Sequence, residues 1–275
     1  SSANSINLGR LLPQIVYYYK AYYDLIKKGV IGLGDKVNFV TPTGNFGDIL
    51  AGFFAKKMGL PVAKLICASN SNKVLTDFIK TGVYDRNRSL IQTTSPSMDI
   101  LVSSNLERLL FILSDYNDKE VKSYMDDLEK KGSYEVKPYL LSLIQESFEA
   151  YYCDEKESLK TLKDAWELDK RLIDPHTAVA YHAAKDFERD KVNNYPTVVL
   201  STASTYKFPQ TALEAMFGEK KEDPFEAMDL LNKKTGVPIP ANLESLKNAP
   251  IRFDQSHTIE ETYQIVHEHF QKGKL

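Results

Sequence analysis

One stretch constrains the fold more than any other. Lys36 to Thr41 (KVNFVT) is a strand-like run, followed by the loop Pro42-Thr43-Gly44-Asn45-Phe46-Gly47 and then by Asp48 to Met58 in helical spacing. Gly59 and Pro61 stop that helix, and Val62 to Ala68 is a second apolar strand. Strand, loop, helix, strand is a βαβ unit, and a crossover helix of this kind joins strands that lie parallel. The expected class is therefore α/β, a parallel-rich sheet flanked by helices.

The loop lies at the carboxyl end of a strand, where open α/β folds bind their ligands. It also opens a helix, whose first N–H groups are free and whose dipole end is positive, so it favours an anion. Glycine lets the backbone turn tightly and come close to a phosphate. The spacing is Gly-x-x-Gly, not the Gly-x-Gly-x-x-Gly of dinucleotide sites. The loop ends Gly-Asp rather than Gly-Lys-Ser/Thr, which argues against a nucleoside triphosphate. A smaller phosphate group remains, beside the plain alternative that the glycines serve only the turn.

The rest of the chain can be divided by texture. Leu11, Leu12, Ile15, Val16, Tyr19, Tyr22, Tyr23 and Ile26 keep the spacing of an amphipathic helix that starts near Pro13. Val74 to Lys80 reads as a helix closed by Gly82, and Leu90 to Thr93 as a short strand. From about Leu106 to Arg171 the chain is rich in charge and helix formers; Asp118 to Lys131 is one helix, ended by Gly132. Asp174-Pro175 is a good helix start, an acidic cap followed by proline, and that helix should reach about Arg189. Thr197 to Leu200 is expected to be a buried strand leading into Ser201-Thr202-Ala203-Ser204. Two more helices are expected near Pro224 to Lys234 and Ile259 to Gln271, the latter with a Thr258-x-x-Glu261 capping box. The expected organisation is an α/β region with the phosphate loop over 1–105, a mostly helical insertion over 106–170, and a return of the α/β domain with carboxy-terminal helices over 171–275.

Composition excludes several functions. With 275 residues and 43% hydrophobic content the chain can bury a sizeable core. Its 35 basic and 37 acidic residues give a net charge of -2, so no basic surface calls for nucleic acid. Tyr17-Tyr18-Tyr19 and Tyr22-Tyr23 then read as helix core and interface rather than base-stacking platforms. No apolar run is long enough to span a bilayer, and the opening residues show no basic-then-apolar pattern from which a signal peptide would be expected. Cys67 and Cys153 stand far apart, outside any Cys-x-x-Cys pair, and read as reduced thiols of a cytoplasmic protein. His267 and His269 fall on different helix faces and His176 and His182 are six apart, so no metal is expected. The chain begins at Ser1 in patterned sequence, from which a missing upstream segment is expected.

Identity in several runs takes the reading further. PTGNFGDILAG (Pro42 to Gly52) with the following AKKMGLPVAKLICASN resembles threonine synthase. So do SANSINLGRLLPQIVYYY (Ser2 to Tyr19), SPSMDILVSSNLERLLF (Ser95 to Phe111), DPHTAVAY (Asp174 to Tyr181) and STASTYKFP (Ser201 to Pro209). These runs stand in one order across most of the chain, and the resemblance is to the longer, fungal and bacterial type of the family.

The resemblance implies the type II fold of pyridoxal-phosphate enzymes, shared with tryptophan synthase β. It implies conversion of O-phospho-L-homoserine and water to L-threonine and phosphate, with pyridoxal 5'-phosphate as cofactor. On that footing Gly44, Asn45, Phe46 and Gly47 form the cofactor's phosphate cradle, and Asp48 orients the loop or bonds the cofactor. Thr202 matches the hydroxyl residue that meets the pyridine nitrogen; without the resemblance it reads as an ordinary strand-end threonine. Ser5, Asn7 and Arg10 match a region bordering the site, where Arg10 would hold the substrate phosphate, or else cap a surface helix. The Asp174-Pro175-His176-Thr177 turn is a further candidate lining, although a helix start explains it unaided. The family's Schiff-base lysine sits in a His-Gly-Pro-Thr…Phe-Lys-Asp type motif that this chain lacks. No catalytic residue is therefore expected here. The implied partners are the missing amino-terminal half and, in a homo-oligomer, a second copy of the chain. Two alternatives stay open: a threonine-synthase-like phospho-lyase, and an inactive phosphate-binding fragment.

Overall fold

The computed structural model describes residues 5–251 and 256–271. The chain divides into two compact units, with the division between Pro238 and Ile239. In the first, α1 (Leu8–Leu11) passes through a 3-10 turn into α2 (Ile15–Lys27). Then come β1 (Val37–Pro42), α3 (Gly47–Lys57) and β2 (Val62–Ser69), the βαβ unit read from the sequence. After these follow α4 (Val74–Thr81), β3 (Val83–Asp85), α5 (Leu106–Leu113) and α6 (Asp118–Lys131). Next are β4 (Ser133–Glu135), α7 (Pro138–Ser147), β5 (Phe148–Tyr152) and α8 (Glu155–Asp169). The unit ends with α9 (Pro175–Arg189), β6 (Thr197–Val199), α10 (Pro209–Phe217) and α11 (Pro224–Thr235). The second unit holds α12 (Ala241–Glu244) and α13 (Thr262–Gln271), the latter preceded by the expected capping box: Thr258 N–H donates to Glu261 Oε2 at 2.9 Å.

The main sheet has the order β5-β2-β1-β6, and each of its three pairings is parallel. The α/β class is as expected. β1 sits between β2 and β6, so the loop after β1 and the segment after β6 emerge side by side at the same end of the sheet. That adjacency positions the site. β3 and β4 form a separate antiparallel pair.

Three elements differ from the sequence reading. Leu90 to Thr93 is not a strand. Its backbone groups are taken by side chains instead: Ile91 N–H donates to Asn72 Oδ1, Asn72 Nδ2 donates to Ile91 O, and Thr93 N–H donates to Asp99 Oδ2. The charged segment 106–170 is mostly helical, yet it also supplies β4 and β5, and β5 pairs with β2 in the main sheet. Phe148 of β5 packs against Phe46 (5.5 Å between ring centres) and Phe53 (5.8 Å), which ties this segment to α3. Third, β6 lies at the sheet edge and is only half-buried, because no strand among the described residues covers its far side.

The first helical stretch buries Leu11, Tyr18 and Tyr22 but leaves Leu12, Val16, Tyr19 and Tyr23 exposed, so its apolar pattern is wider than the face it packs. Gly52 of α3 is what lets α2 come so close. A Cβ there would stand 2.5 Å from Tyr18 Cε1 and 2.8 Å from Leu65 Cδ2. Both cysteines are buried and free. Among the described residues no helix is long and apolar enough to cross a membrane.

Candidate cofactor-phosphate site

The loop Thr43 to Phe46 turns from β1 into α3 with its carbonyls drawn outward. Ser103 Oγ donates to Gly44 O at 2.9 Å. Asn105 Nδ2 donates to Asn45 O at 2.9 Å, and Asn105 N–H reaches the same oxygen at 3.2 Å. The N–H groups of Gly44 through Ile49, by contrast, donate to no acceptor among the described residues. A helix start normally leaves such donors to water, a cap or a ligand. Here the cap position is Phe46, in the left-handed region at φ 61°, and it offers no side-chain oxygen. A buried phenylalanine seldom adopts that conformation, and such strain gathers where a ligand is held. Phe46 is fixed in it by its packing on Phe148.

Gly44 is needed for close approach rather than for a special φ. A Cβ on it would lie 3.0 Å from Ser97 O and 3.1 Å from Met98 Cα, both backbone atoms. The Ser97 peptide therefore presses directly on the loop. Together Ser5, Arg10, Gln14, Ser97 and the loop from Pro42 to Ile49 line a cleft of about 250 Å³. A second cleft of about 300 Å³ is lined by Gln14, Tyr17, Asp48, Leu200, Ser201 and Thr202. The two share Gln14 and Asp48, so they adjoin, with the loop at one end and Thr202 at the other.

Asp48 is held from behind. The buried Tyr18 hydroxyl lies 2.8 Å from Asp48 O, 3.3 Å from its Oδ1 and 3.2 Å from Thr41 Oγ1. Burial pushes the Asp48 carboxyl up to about 6, against the opposing bond from Tyr18. The folded pKa thus stands above the unfolded one, near 3.9. Between those two values the unfolded chain ionises while the folded one holds its proton, so stability falls as pH rises from 4 to 6. Asp48→Asn should be more stable than the parent at pH 8, by about 2 kcal/mol after allowance for partial exposure. The difference should vanish at pH 4. Urea unfolding at the two pH values measures it, and a pH-independent difference would contradict the burial argument.

The sequence candidates meet the structure as follows. Gly44, Asn45, Phe46, Gly47 and Asp48 line the first cleft, joined there by Ser5 and Arg10. Thr202 lines the second, exposed, with no hydrogen bond to its hydroxyl among the described residues. Asn7 instead caps α1, its Oδ1 accepting from Gly9 N–H at 2.9 Å, and lines neither cleft. Asp174, His176 and Thr177 are buried behind the site rather than in its lining. Among the described residues no lysine lines either cleft. Tyr18, Gln14, Ser97, Ser103 and Asn105 escaped the sequence reading. Ser103-Ser104-Asn105 looks like a polar helix start, and Asn105 does occupy the cap position of α5. Its side chain makes no capping bond; it holds Asn45 O and Ser5 O instead.

The parallel sheet flanked by helices is that of the type II pyridoxal-phosphate enzyme fold of its structural neighbours. Within that class the likeness is to threonine synthases. Residues 177–266 match the family model "Threonine synthase, C-terminal". The chain is 47% identical over 217 residues to threonine synthase-like 1 of Macaca fascicularis, covering 78% of this chain and 29% of that protein. The yeast threonine synthase crystal structure superposes with a TM-score of 0.83 at 32% identity, covering 98% of this chain and 53% of the other. A PLP-bound threonine synthase from Brucella melitensis gives 0.73 at 39% identity, covering 84% and 48%. The chain thus spans about a third to a half of the length of these relatives.

Proposed function

We propose that this chain supplies the phosphate and ring-nitrogen contacts of a pyridoxal-phosphate-dependent threonine synthase, which makes L-threonine and phosphate from O-phospho-L-homoserine and water. The observation that carries this reading is the run of N–H groups from Gly44 to Ile49 with no acceptor among the described residues, in a loop that lines a cleft and whose Gly44 and Asn45 carbonyls are held by Ser103 and Asn105. Such donors, with the positive end of α3, bind a phosphate without any side-chain cation. The bound cofactor supplies an electron sink for charge developing on substrate carbons.

The chain's own residues hold and orient. Gly44 to Gly47 grip the cofactor phosphate through the backbone. Asp48, kept in place by Tyr18, fixes the first turn of α3. Thr202 offers a neutral hydroxyl to the ring nitrogen and so leaves it largely unprotonated, which weakens the sink and suits elimination and replacement. Arg10 lines the same cleft and holds the substrate's phosphate. A Schiff-base lysine would be supplied by residues other than the described cleft lining, which includes no lysine. Alone, these residues do not catalyse; the amino-terminal half is the partner that completes the site, in the cytoplasm.

Two measurements bear on this. The full gene product given O-phospho-L-homoserine should release threonine and phosphate in equal amounts; phosphate released together with homoserine, the product of plain ester hydrolysis, would sink the reading. A second reading, in which phosphate is eliminated without addition of water to the carbon chain and the released enamine is hydrolysed by water to a 2-oxo acid and ammonia, is kept because of the higher identity to threonine synthase-like 1. Arg10→Ala should raise KM for the phosphorylated substrate at least tenfold, the loss of one charged phosphate contact. Cofactor affinity should stay within about twofold. A fall in cofactor affinity instead would move Arg10 to the cofactor phosphate.

A further inference from the structure

The start of α9 is built more heavily than a helix cap requires. Asp174, His176 and Thr177 are all buried, Asp174 completely. A cap needs one bond, from His176 N–H to Asp174 Oδ1 at 2.9 Å. Asp174 Oδ1 also meets His176 Nδ1 at 2.9 Å, and Oδ2 accepts from the Thr177 hydroxyl. Burial would raise the Asp174 carboxyl, but these bonds outweigh it and hold the group ionised below its ordinary range.

Each partner reaches on to a different end of the cleft. His176 Nε2 accepts from Ser97 N–H at 3.2 Å. That bond places a ring proton on Nδ1, facing Asp174. Phe208 packs on the ring at 4.9 Å and holds its plane. Ser97 is the residue whose carbonyl presses on Gly44 of the loop. In the other direction Thr177 Oγ1 lies 3.4 Å from Ser201 Oγ, and Ser201 is next to Thr202 in the second cleft. One carboxylate is thereby linked to both ends of the site, through residues that touch neither cleft.

We propose that Asp174, acting through His176 and Thr177, is a positioning device that sets the separation between the phosphate loop and the Ser201–Thr202 segment, so that a ligand with a phosphate and a ring must meet both together. The inference rests on the cofactor reading above. It assigns to these residues no contact with the ligand. Its consequence is a split: loosening the device leaves phosphate binding to the loop intact and weakens only ligands that span the two clefts.

The test uses the apo form of the full gene product with two probes, inorganic phosphate and pyridoxamine 5'-phosphate, which is fluorescent and needs no lysine. Thr177→Val removes the hydroxyl at nearly constant volume, and Thr177→Ser restores it. The expected result is a tenfold or greater loss of pyridoxamine phosphate affinity in Thr177→Val, with inorganic phosphate changed by less than about twofold. Its bound emission should shift towards that of the free ligand, and Thr177→Ser should recover both. His176→Leu should give the same split; if it fails to fold, the threonine pair still decides. Equal losses for both probes, in step with thermal stability, would mean a merely structural role and overturn the proposal. So would unchanged affinities in Thr177→Val while the parent binds both probes, and that outcome leaves the cofactor reading standing. A parent protein that binds neither probe would overturn both.

Discussion

Gly52→Ala should lower stability by about 3 kcal/mol, the upper part of the range for forcing extra volume into a packed core. The added Cβ would lie 2.5 and 2.6 Å from two ring atoms of Tyr18 and 2.8 Å from a methyl of Leu65. Neither neighbour can yield easily. Tyr18 is fully buried, edge-on to Phe39 at 5.0 Å, and its hydroxyl is fastened to Asp48 and Thr41. Leu65 is fully buried in β2, a central strand. The melting temperature should fall by roughly 6–12 °C for a chain of this size. Because the displaced ring is the one that holds Asp48, phosphate affinity should fall with it. A variant with unchanged melting temperature would show that α2 does not pack on α3 as described.

Asn105→Ala should act in the opposite proportion, hurting binding more than folding. Asn105 is fully buried, and its amide bonds both Asn45 O and Ser5 O. Its loss leaves Asn45 O with only the longer backbone bond and frees the peptide to rotate. A rotated peptide turns a carbonyl, not an N–H, towards the anion. Removing such a buried bond costs about 2 kcal/mol, which corresponds to a roughly thirtyfold loss of affinity for pyridoxamine 5'-phosphate. Titration calorimetry on the apoprotein measures it. An affinity within twofold of the parent would mean that the loop keeps its shape without this residue.

How much of this was legible in the sequence depends on the range of the interaction. The βαβ unit declares itself because strand, loop and helix each follow local rules within 33 residues, from Lys36 to Ala68. The helix starting at Asp174 is legible for the same reason, and its cap bond is where it was read. Leu90 to Thr93 misleads because its apolar residues satisfy strand propensity while Asn72 and Asp99 take its backbone groups. Strand β5 lies hidden in a helical, charged segment, since Phe148 to Tyr152 has too few residues to show a period. At the site, Gly44 to Asp48 is contiguous and legible. The residues that shape it are not: Asn105 is 60 positions from Asn45, and Tyr18 is 30 from Asp48. The left-handed Phe46 could not be read either, because nothing local favours it; packing on Phe148, about a hundred residues away, imposes it.

The most direct measurement of the central claim compares pyridoxamine 5'-phosphate with pyridoxamine on the apo form of the full gene product, by calorimetry at constant ionic strength. The two differ only in the group that the N–H groups of Gly44 to Ile49 are held to grip. The expected result is tight binding of the phosphorylated compound, at least a hundredfold weaker binding of the other, and near-complete loss of that difference in Gly44→Ala. Equal affinities for the two compounds, or a difference that survives Gly44→Ala, would contradict the account.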